Sequence, residues 1–444
     1  MGHYFGTDGI RGKANVSLKV ETAFAVGRYL GYAFSKEKRG KILIGMDTRL
    51  SSTMFEAALA AGASSSGADV YCLKVVPTPA VAYLTGLDDF DCGVMISASH
   101  NPFYDNGIKV FNHQGVKINN ELEAEIEAFI DGKIEIPFAL DDKIGKVVDY
   151  REGLNRYKDH LKSLFDMDLS AYTLVLDTAN GSATTSAYDV LTSFKAKCIL
   201  MHDTPDGTNI NTHCGSTHPQ SLQEKVKEVR ADLGLAFDGD ADRLIAVDSE
   251  GELVDGDKTI YACGLHMKRQ GILAQDTVVT TVMANLGLYK ALDRAGIKYR
   301  QTQVGDKYVY ECMVTEDLQL GGEQSGHIIF KQHATTGDGL LTALKLLEVM
   351  ADTKQSIRKL TEDLKIYPQL LKNVKVHDKK KALTDADLLR LTEEIQAELG
   401  DEGRILVRPS GTEPLVRVMV EAKDDEICAY HVGRCVDLIH QKDL

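Results

Sequence analysis

Residues 173–191 read TLVLDTANGSATTSAYDVL: an apolar run, a polar turn ending in Asn-Gly, and then a helical stretch. So short an apolar run, punctuated by turn residues, is a buried strand delivered into a loop. The same order recurs at KILIGMD (41–47) with TMFEAALAAGASSSGAD (53–69), and at TVVTTVMANLGLYKALDRAG (277–296). Three strand–turn–helix units spaced by roughly a hundred residues predict repeated α/β domains of one topology. Ahead of the first unit, ETAFAVGRYLGYAF (21–34) spaces Phe24, Gly27, Leu30, Gly31 and Phe34 on one helical face.

At 444 residues the chain is too long for one core, and length alone suggests about three domains. Polar, irregular stretches near 140–152, 249–257 and 365–369 divide it further. The expected segments are an α/β domain over 1–150, a second over 151–250 and a third over 251–366. The fourth, 367–444, has another pattern: strand 369–376, helix 384–399, strands 403–408 and 414–421, helix 425–439. It reads as a smaller α+β domain. Asp378-Lys379-Lys380-Lys381 reads as a solvated loop.

The composition is 43% apolar and 26% charged, and 51 Lys+Arg against 65 Asp+Glu give a net charge of −14. Such a surface repels nucleic-acid backbones and anionic lipid, so any anionic ligand requires a local gathering of bases. Cysteines 72, 92, 198, 214, 263, 312, 428 and 435 contain no Cys-x-x-Cys pair and read as reduced thiols. Without an apolar leader or spanning run, the expected location is the cytoplasm.

Four loops carry chemistry. In VMISASHNPFYDNGIKVF (94–111) an apolar strand ends at Ser97-Ala98-Ser99-His100-Asn101-Pro102. Ser99 is either part of an ordinary turn before proline or a presented nucleophile. A hydrolase triad is disfavoured, because no Gly-x-Ser-x-Gly elbow surrounds it and a strand would point His100 away. In LGLAFDGDADRLIAVD (233–248), Asp238, Asp240 and Asp242 alternate between two buried strands. Three like charges on one side favour a small, hard cation such as Mg2+. Arg243 and Ser249, at the sixth and twelfth positions, exclude an EF-hand. In LGGEQSGHIIF (320–330), Glu323 and Ser325 suit sugar hydroxyls, and His327 is able to move a proton near neutral pH. In ILVRPSGTEPLVRVMVEA (405–422), Arg408, Ser410, Gly411, Thr412 and Arg417 make a phosphate cradle or a plain Pro-Ser-Gly turn. No Gly-x-Gly-x-x-Gly occurs, and GELVDGDKT (251–259) fails as a P-loop because Asp257 stands where lysine is required.

Together the loops specify phosphoryl transfer on a phosphosugar, with Arg11, Lys109, Arg243, Arg408 and Arg417 as the basic cluster. The motifs YFGTDGIRG (4–12), ISASHNPFYDNGIK (96–109), FDGDADR (237–243), GEQSGH (322–327) and RPSGTEPLVRVMVEA (408–422), in this order, resemble the α-D-phosphohexomutase superfamily. Within it they resemble the bacterial mutases acting on glucosamine phosphate. The resemblance implies three related mixed-sheet α/β domains and a smaller C-terminal α+β domain around a central cleft. It implies that Ser99 carries the phosphoryl group, with Mg2+ held by Asp238, Asp240, Asp242 and the Ser99 phosphoryl. It further implies interconversion of glucosamine 6-phosphate and glucosamine 1-phosphate, primed by a sugar 1,6-bisphosphate and supplying UDP-N-acetylglucosamine. Lys109, His327 and Arg11 are the candidates for proton transfer or charge stabilisation, and Arg243 joins the substrate-binding set. The partner expected is a small phosphosugar, with neither nucleic acid nor membrane, and the oligomeric state is left open, a homodimer being one possible assembly. One departure is Lys307 in TQVGDKYV (302–309), where the family suggests arginine. The alternatives are a phosphomannomutase or phosphoglucomutase, a Mg2+-dependent phosphatase on Asp238 and Asp240, and a non-catalytic sugar-phosphate sensor.

Overall fold

The computed structural model of the chain describes residues 4–6, 8–410 and 415–444. It divides into two compact units: Met1–Met283 with Ile297–Thr361, and Ala284–Gly296 with Glu362–Leu444.

Three sheets in the first unit follow one plan. Lys41–Met46 lies between the parallel strands Asp69–Val75 and Cys92–Ile96, and Asp105–Asn112 runs antiparallel beside Cys92–Ile96. In the second sheet Thr173–Asp177 lies between Lys197–Met201 and Leu233–Phe237, followed by antiparallel Leu244–Asp248. In the third, Thr277–Thr281 lies between Lys298–Thr302 and Leu320–Gly322, followed by antiparallel Ile328–Phe330. The expected repetition is therefore present, with extra strands at the margins: Phe5–Gly6, Gly9–Lys13 and Val147–Asp149 extend the first sheet, and Leu253–Val254 extends the second. Central strands such as Leu233–Phe237 and Leu244–Asp248 are buried throughout. This is why they read as unbroken apolar runs rather than as an alternation.

The helices Val20–Phe34 and Ser52–Ser65 pack through small residues. A Cβ on Gly27 would lie 2.3 Å from the Leu59 carbonyl oxygen, one on Gly31 2.4 Å from that of Ala63, and one on Gly62 2.2 Å from that of Phe24. This seam corrects the expected face: Ala23, Val26, Gly27, Leu30 and Gly31 are buried, whereas Phe24 lies at the rim, 36% exposed. Large side chains cannot occupy a seam where backbones nearly touch.

In the second unit, Gln369–Lys375 and Arg404–Pro409 flank Leu415–Glu421 in an antiparallel sheet. Val374, Val416, Val418 and Val420 meet Cys428, Val432 and Ile439 of the helix Asp425–Gln441 in its core. The lysine run expected as a loop is instead the short helix Lys379–Leu383. Asp378 caps it by accepting from the Lys380 and Lys381 amides, and a charge run alone does not reveal such a cap. All eight cysteines are free, with Cys198 and Cys312 half-buried and the others buried. No described helix is long and apolar enough to cross a membrane.

Candidate active site

The plan shared by the three sheets places one hairpin in each, between the last parallel strand and its antiparallel neighbour. In the first sheet that hairpin carries Ser99, in the second Asp238, Asp240 and Asp242, and in the third Glu323, Ser325 and His327. Three loops far apart in sequence thus leave equivalent strand ends.

Ser99 sits in a left-handed conformation, φ 51°, and is buried. Its carbonyl oxygen accepts from Arg49 Nη2 at 2.8 Å and from Asn211 Nδ2 at 2.9 Å, while its amide donates to Ser97 Oγ at 2.9 Å. These bonds offset the steric cost of a non-glycine residue at positive φ. Arg49 is wholly buried: it pairs with Asp47 at 2.7 Å, and its guanidinium also donates to the carbonyls of Pro102, Asp105 and Asn101. Asp47 in turn accepts from Ser97 Oγ and Ser52 Oγ. One arginine therefore ties the whole serine loop together.

The left-handed turn also corrects the placing of His100. Because residue 99 is not extended, His100 Nδ1 comes within 3.4 Å of Ser99 Oγ and 3.3 Å of Arg243 Nη1. Burial, with Arg243 and Arg11, pulls the His100 pKa down to about 4, so the ring is neutral at pH 7.

Ser99 Oγ donates to Asp238 Oδ2 at 2.6 Å, joining the first hairpin to the second. A Cβ on Gly239 would lie 2.6 Å from the Ser99 carbonyl oxygen, so only glycine permits this approach. Asp238, Asp240 and Asp242 are all buried, and an oxygen of each lies within 4.8 Å of the others. Asp240 Oδ1 and Asp242 Oδ1 have no hydrogen-bond partner among the described residues. Burial and the two neighbouring carboxylates push Asp238 well above the usual range. Convergent buried carboxylates with unpartnered oxygens fit a hard divalent cation of the Mg2+ class.

Lys109 is buried, its Nζ 2.9 Å from Asp240, 3.1 Å from Asp242 and 3.4 Å from Asp8. Burial opposes its charge, but those three carboxylates outweigh it and hold its pKa well above the ordinary value. Burial likewise opposes the Asp242 anion, and Lys109, His327 and Arg243 overcome it, keeping that carboxyl well below the usual range. Arg243 donates its amide to Asp238 Oδ1 at 3.1 Å. Arg11 pairs with Asp8 through Nη2, leaving a buried Nε without a partner among the described residues.

In the third hairpin, the Gly337 amide donates to His327 Nε2 at 2.9 Å, so in the neutral ring the proton sits on Nδ1, 3.7 Å from Asp242. Burial disfavours the charged ring, but Asp242, Asp306 and Glu323 outweigh it and lift the pKa above its ordinary value. Glu323 Oε1 accepts from the Gly305 amide at 3.0 Å, and Ser325 is exposed. Gly326, at φ +91°, accepts the Leu244 amide at 3.0 Å and docks the third hairpin on the exit of the second.

In the second unit, Arg408 and Arg417 are direct cross-strand partners. Neither Nε has a hydrogen-bond partner among the described residues. Burial and then Arg417 lower the Arg408 pKa. Two adjacent cations with unsatisfied donors suit an anion. Ser410 is buried, and Gly411 and Thr412 lie outside the described residues.

Sequence reading missed Asp8, Asp47, Arg49, Thr78, Lys117, Asn211 and Asp306. Lys117 Nζ bridges Asp8 at 2.6 Å and Asp306 at 2.7 Å, and Thr78 Oγ1 donates to Asp240 Oδ2 at 2.6 Å. GMDTRLSS (45–52) carried a signal, as another buried strand ending in charged turn residues, and Asp8 and Asp306 lie inside the YFGTDGIRG and TQVGDKYV motifs. Lys307 reaches Asn120 Oδ1 at 2.8 Å, a contact a point-charge ammonium makes without a planar fork.

The chain matches four domains of the phosphoglucomutase/phosphomannomutase family. These are alpha/beta/alpha domain I over residues 2–136, domain II over 155–251, domain III over 255–367 and the C-terminal domain over 371–433. It is 55% identical to the phosphoglucosamine mutase of Lachnoclostridium phytofermentans over 443 residues, covering 100% of this chain and 99% of that one. It is 50% identical to that of Bacillus subtilis over 444 residues, with the same coverage. Among solved structures, a phosphoglucomutase/phosphomannomutase family protein of Burkholderia thailandensis superposes with a TM-score of 0.79 at 23% identity, covering 98% of this chain and 96% of that one. The Aspergillus fumigatus N-acetylphosphoglucosamine mutase, in complex with GlcNAc-6P and magnesium, does so at 0.72 and 18% identity, covering 99% and 96%.

Proposed function

The chain belongs to the phosphoglucomutase/phosphomannomutase family, and from that premise we propose that it interconverts glucosamine 6-phosphate and glucosamine 1-phosphate through a phosphoserine at Ser99. It is an isomerase of the phosphohexomutase type. The carrying observation is the 2.6 Å bond from Ser99 Oγ to Asp238, which brings the phosphoryl carrier to the three-carboxylate loop.

In the first transfer the Ser99 Oγ–phosphorus bond breaks as a bond forms to the 1-hydroxyl oxygen, whose proton passes to a neutral base while Ser99 Oγ takes up a proton. The product is a 1,6-bisphosphate. After this turns over, the 6-phosphoryl returns to Ser99 Oγ, whose proton passes to a base, the sugar 6-oxygen takes up a proton, and the 1-phosphate leaves. Asp238, Asp240 and Asp242 are the residues that would hold Mg2+, which when bound supplies neutralisation of the charge on the moving phosphoryl group. Lys109, held protonated by its carboxylates, stabilises charge rather than accepting a proton. His100, neutral and 3.4 Å from Ser99 Oγ, and His327 are the groups suited to proton movement. Arg11 and Arg243 add positive charge beside Ser99, while Glu323 and Ser325 are assigned to ring hydroxyls. Arg408, Ser410, Gly411, Thr412 and Arg417 are assigned to the phosphate that is not reacting. Segments 1–150, 151–250, 251–366 and 367–444 carry these four tasks in order. A sugar 1,6-bisphosphate primes Ser99, as the Aspergillus fumigatus relative crystallised with glucose 1,6-bisphosphate suggests by analogy.

The test is phosphopeptide mapping after incubation with Mg2+ and glucose 1,6-bisphosphate. Phosphate is expected on Ser99, with turnover lost in Ser99→Ala. Undiminished turnover in that variant would overturn the scheme.

A further inference from the structure

A second convergence of ligand-type side chains lies outside the hairpin site. Asp177 ends the strand Thr173–Asp177, and His202 immediately follows its parallel neighbour Lys197–Met201. Cys214 comes back over these strand ends from the loop between residues 202 and 219. A carboxylate oxygen, an imidazole nitrogen and the thiol sulfur lie within 4.8 Å of one another. Asp177 and Cys214 are completely buried.

His202 Nδ1 is buried, 3.1 Å from Asp177 Oδ1. Ligands held about 2 Å from a single ion at near-tetrahedral angles stand roughly 3.1–3.4 Å apart, which matches this separation. Cys214 Sγ has a long polar contact, 3.9 Å from Asn180 Nδ2. The carboxylate is held in place by the Ala179 and Gly215 amides at 2.9 and 2.8 Å. The backbone around it is fixed in unusual conformations, with positive φ at Ala179, Asn180, His202, Asn211, His213 and Gly215. The His202 side chain is partly exposed.

We propose that Asp177, His202 and Cys214 form a transition-metal site of the Zn2+ or Co2+ class, separate from the three-aspartate loop. One carboxylate, one imidazole and one thiolate select a borderline-soft ion over Mg2+. Coordination as the thiolate displaces the Cys214 proton. The site has a mechanical consequence. Asn211, three residues before Cys214, donates to the Ser99 carbonyl, and Ser216, two residues after it, donates its amide to Phe237, next to Asp238. The metal is a clip on the loop that supports both the serine and the three-aspartate loop.

The experiment uses full-length, reduced protein stripped of metal by chelation and then saturated with Mg2+. Co2+ is titrated in alone. One equivalent is expected to produce a near-ultraviolet thiolate-to-cobalt absorption band and to release about one proton. Cys214→Ser abolishes the band, and His202→Gln, which leaves the buried thiol in place, weakens Co2+ by about tenfold or more. Zn2+ raises Tm in the parent but not in these variants. Absence of the band at stoichiometric Co2+, or its persistence in Cys214→Ser, would overturn the proposal.

Discussion

Arg49 shows how much one side chain does to hold the loop that carries Ser99. It holds the carbonyls of Ser99, Asn101, Pro102 and Asp105 against a buried aspartate. Arg49→Gln leaves Asp47 uncompensated, and breaking a buried pair in this way costs about 3–5 kcal/mol. Denaturant unfolding is expected to show that loss, with a fall in kcat as Ser99 leaves its turn. Asp338 makes a second residue-scale prediction. It is buried, receives Tyr157 OH at 2.9 Å and caps the helix Gly339–Thr353 through the Leu341 amide. Burial lifts its pKa to about 6, against the bonds from Leu341 and Tyr157. The folded state then binds more protons than the unfolded chain between about pH 4 and 6, so stability falls as pH rises through that window. The folded protein gives up about 2–3 kcal/mol there. Asp338→Asn keeps an oxygen for the cap, and the stability difference between parent and variant, followed by unfolding at pH 4 and 7, is expected to shift by about that amount. A difference that stays flat across pH would remove Asp338 from this role.

Among the elements, the hairpin after each third parallel strand is the unit that was legible. Ser99, the aspartate loop and the Glu323–His327 loop all stand out because apolar runs stop at them abruptly, and a buried strand ending in polar residues implies a purpose at its tip. What holds those tips was not legible. Arg49 binds a loop some fifty residues away and Asn211 one more than a hundred away, so no local period or spacing encodes either contact. His100 was misjudged because alternation was assumed where Ser99 turns left-handed. Phe24 was misplaced because a glycine seam, rather than a stripe of large side chains, faces the neighbouring helix. That seam gives the prediction at this scale. Gly27→Ala sets a methyl 2.3 Å from a backbone oxygen and is expected to destabilise by about 1–3 kcal/mol, read by Tm, with little change in KM.

For the molecule as a whole, the net charge of −14 makes the local bases decisive. Arg417 lies in the second unit with a buried Nε that has no partner among the described residues, and the proposed task for it is to bind phosphate. Removing a charged hydrogen-bond donor costs about 1.5–3 kcal/mol, so Arg417→Gln is expected to raise KM for the sugar phosphate about 10–100-fold. Far-UV circular dichroism is expected to stay unchanged. The central claim, phosphoryl exchange at Ser99 on an amino sugar, is met most directly by phosphorus NMR with Mg2+ and a trace of sugar bisphosphate. Glucosamine, glucose and mannose 6-phosphates are supplied in parallel. Fastest conversion of the glucosamine ester to its 1-phosphate, without release of inorganic phosphate, is the expected result. Stoichiometric free phosphate, or a clear preference for glucose or mannose, would contradict it.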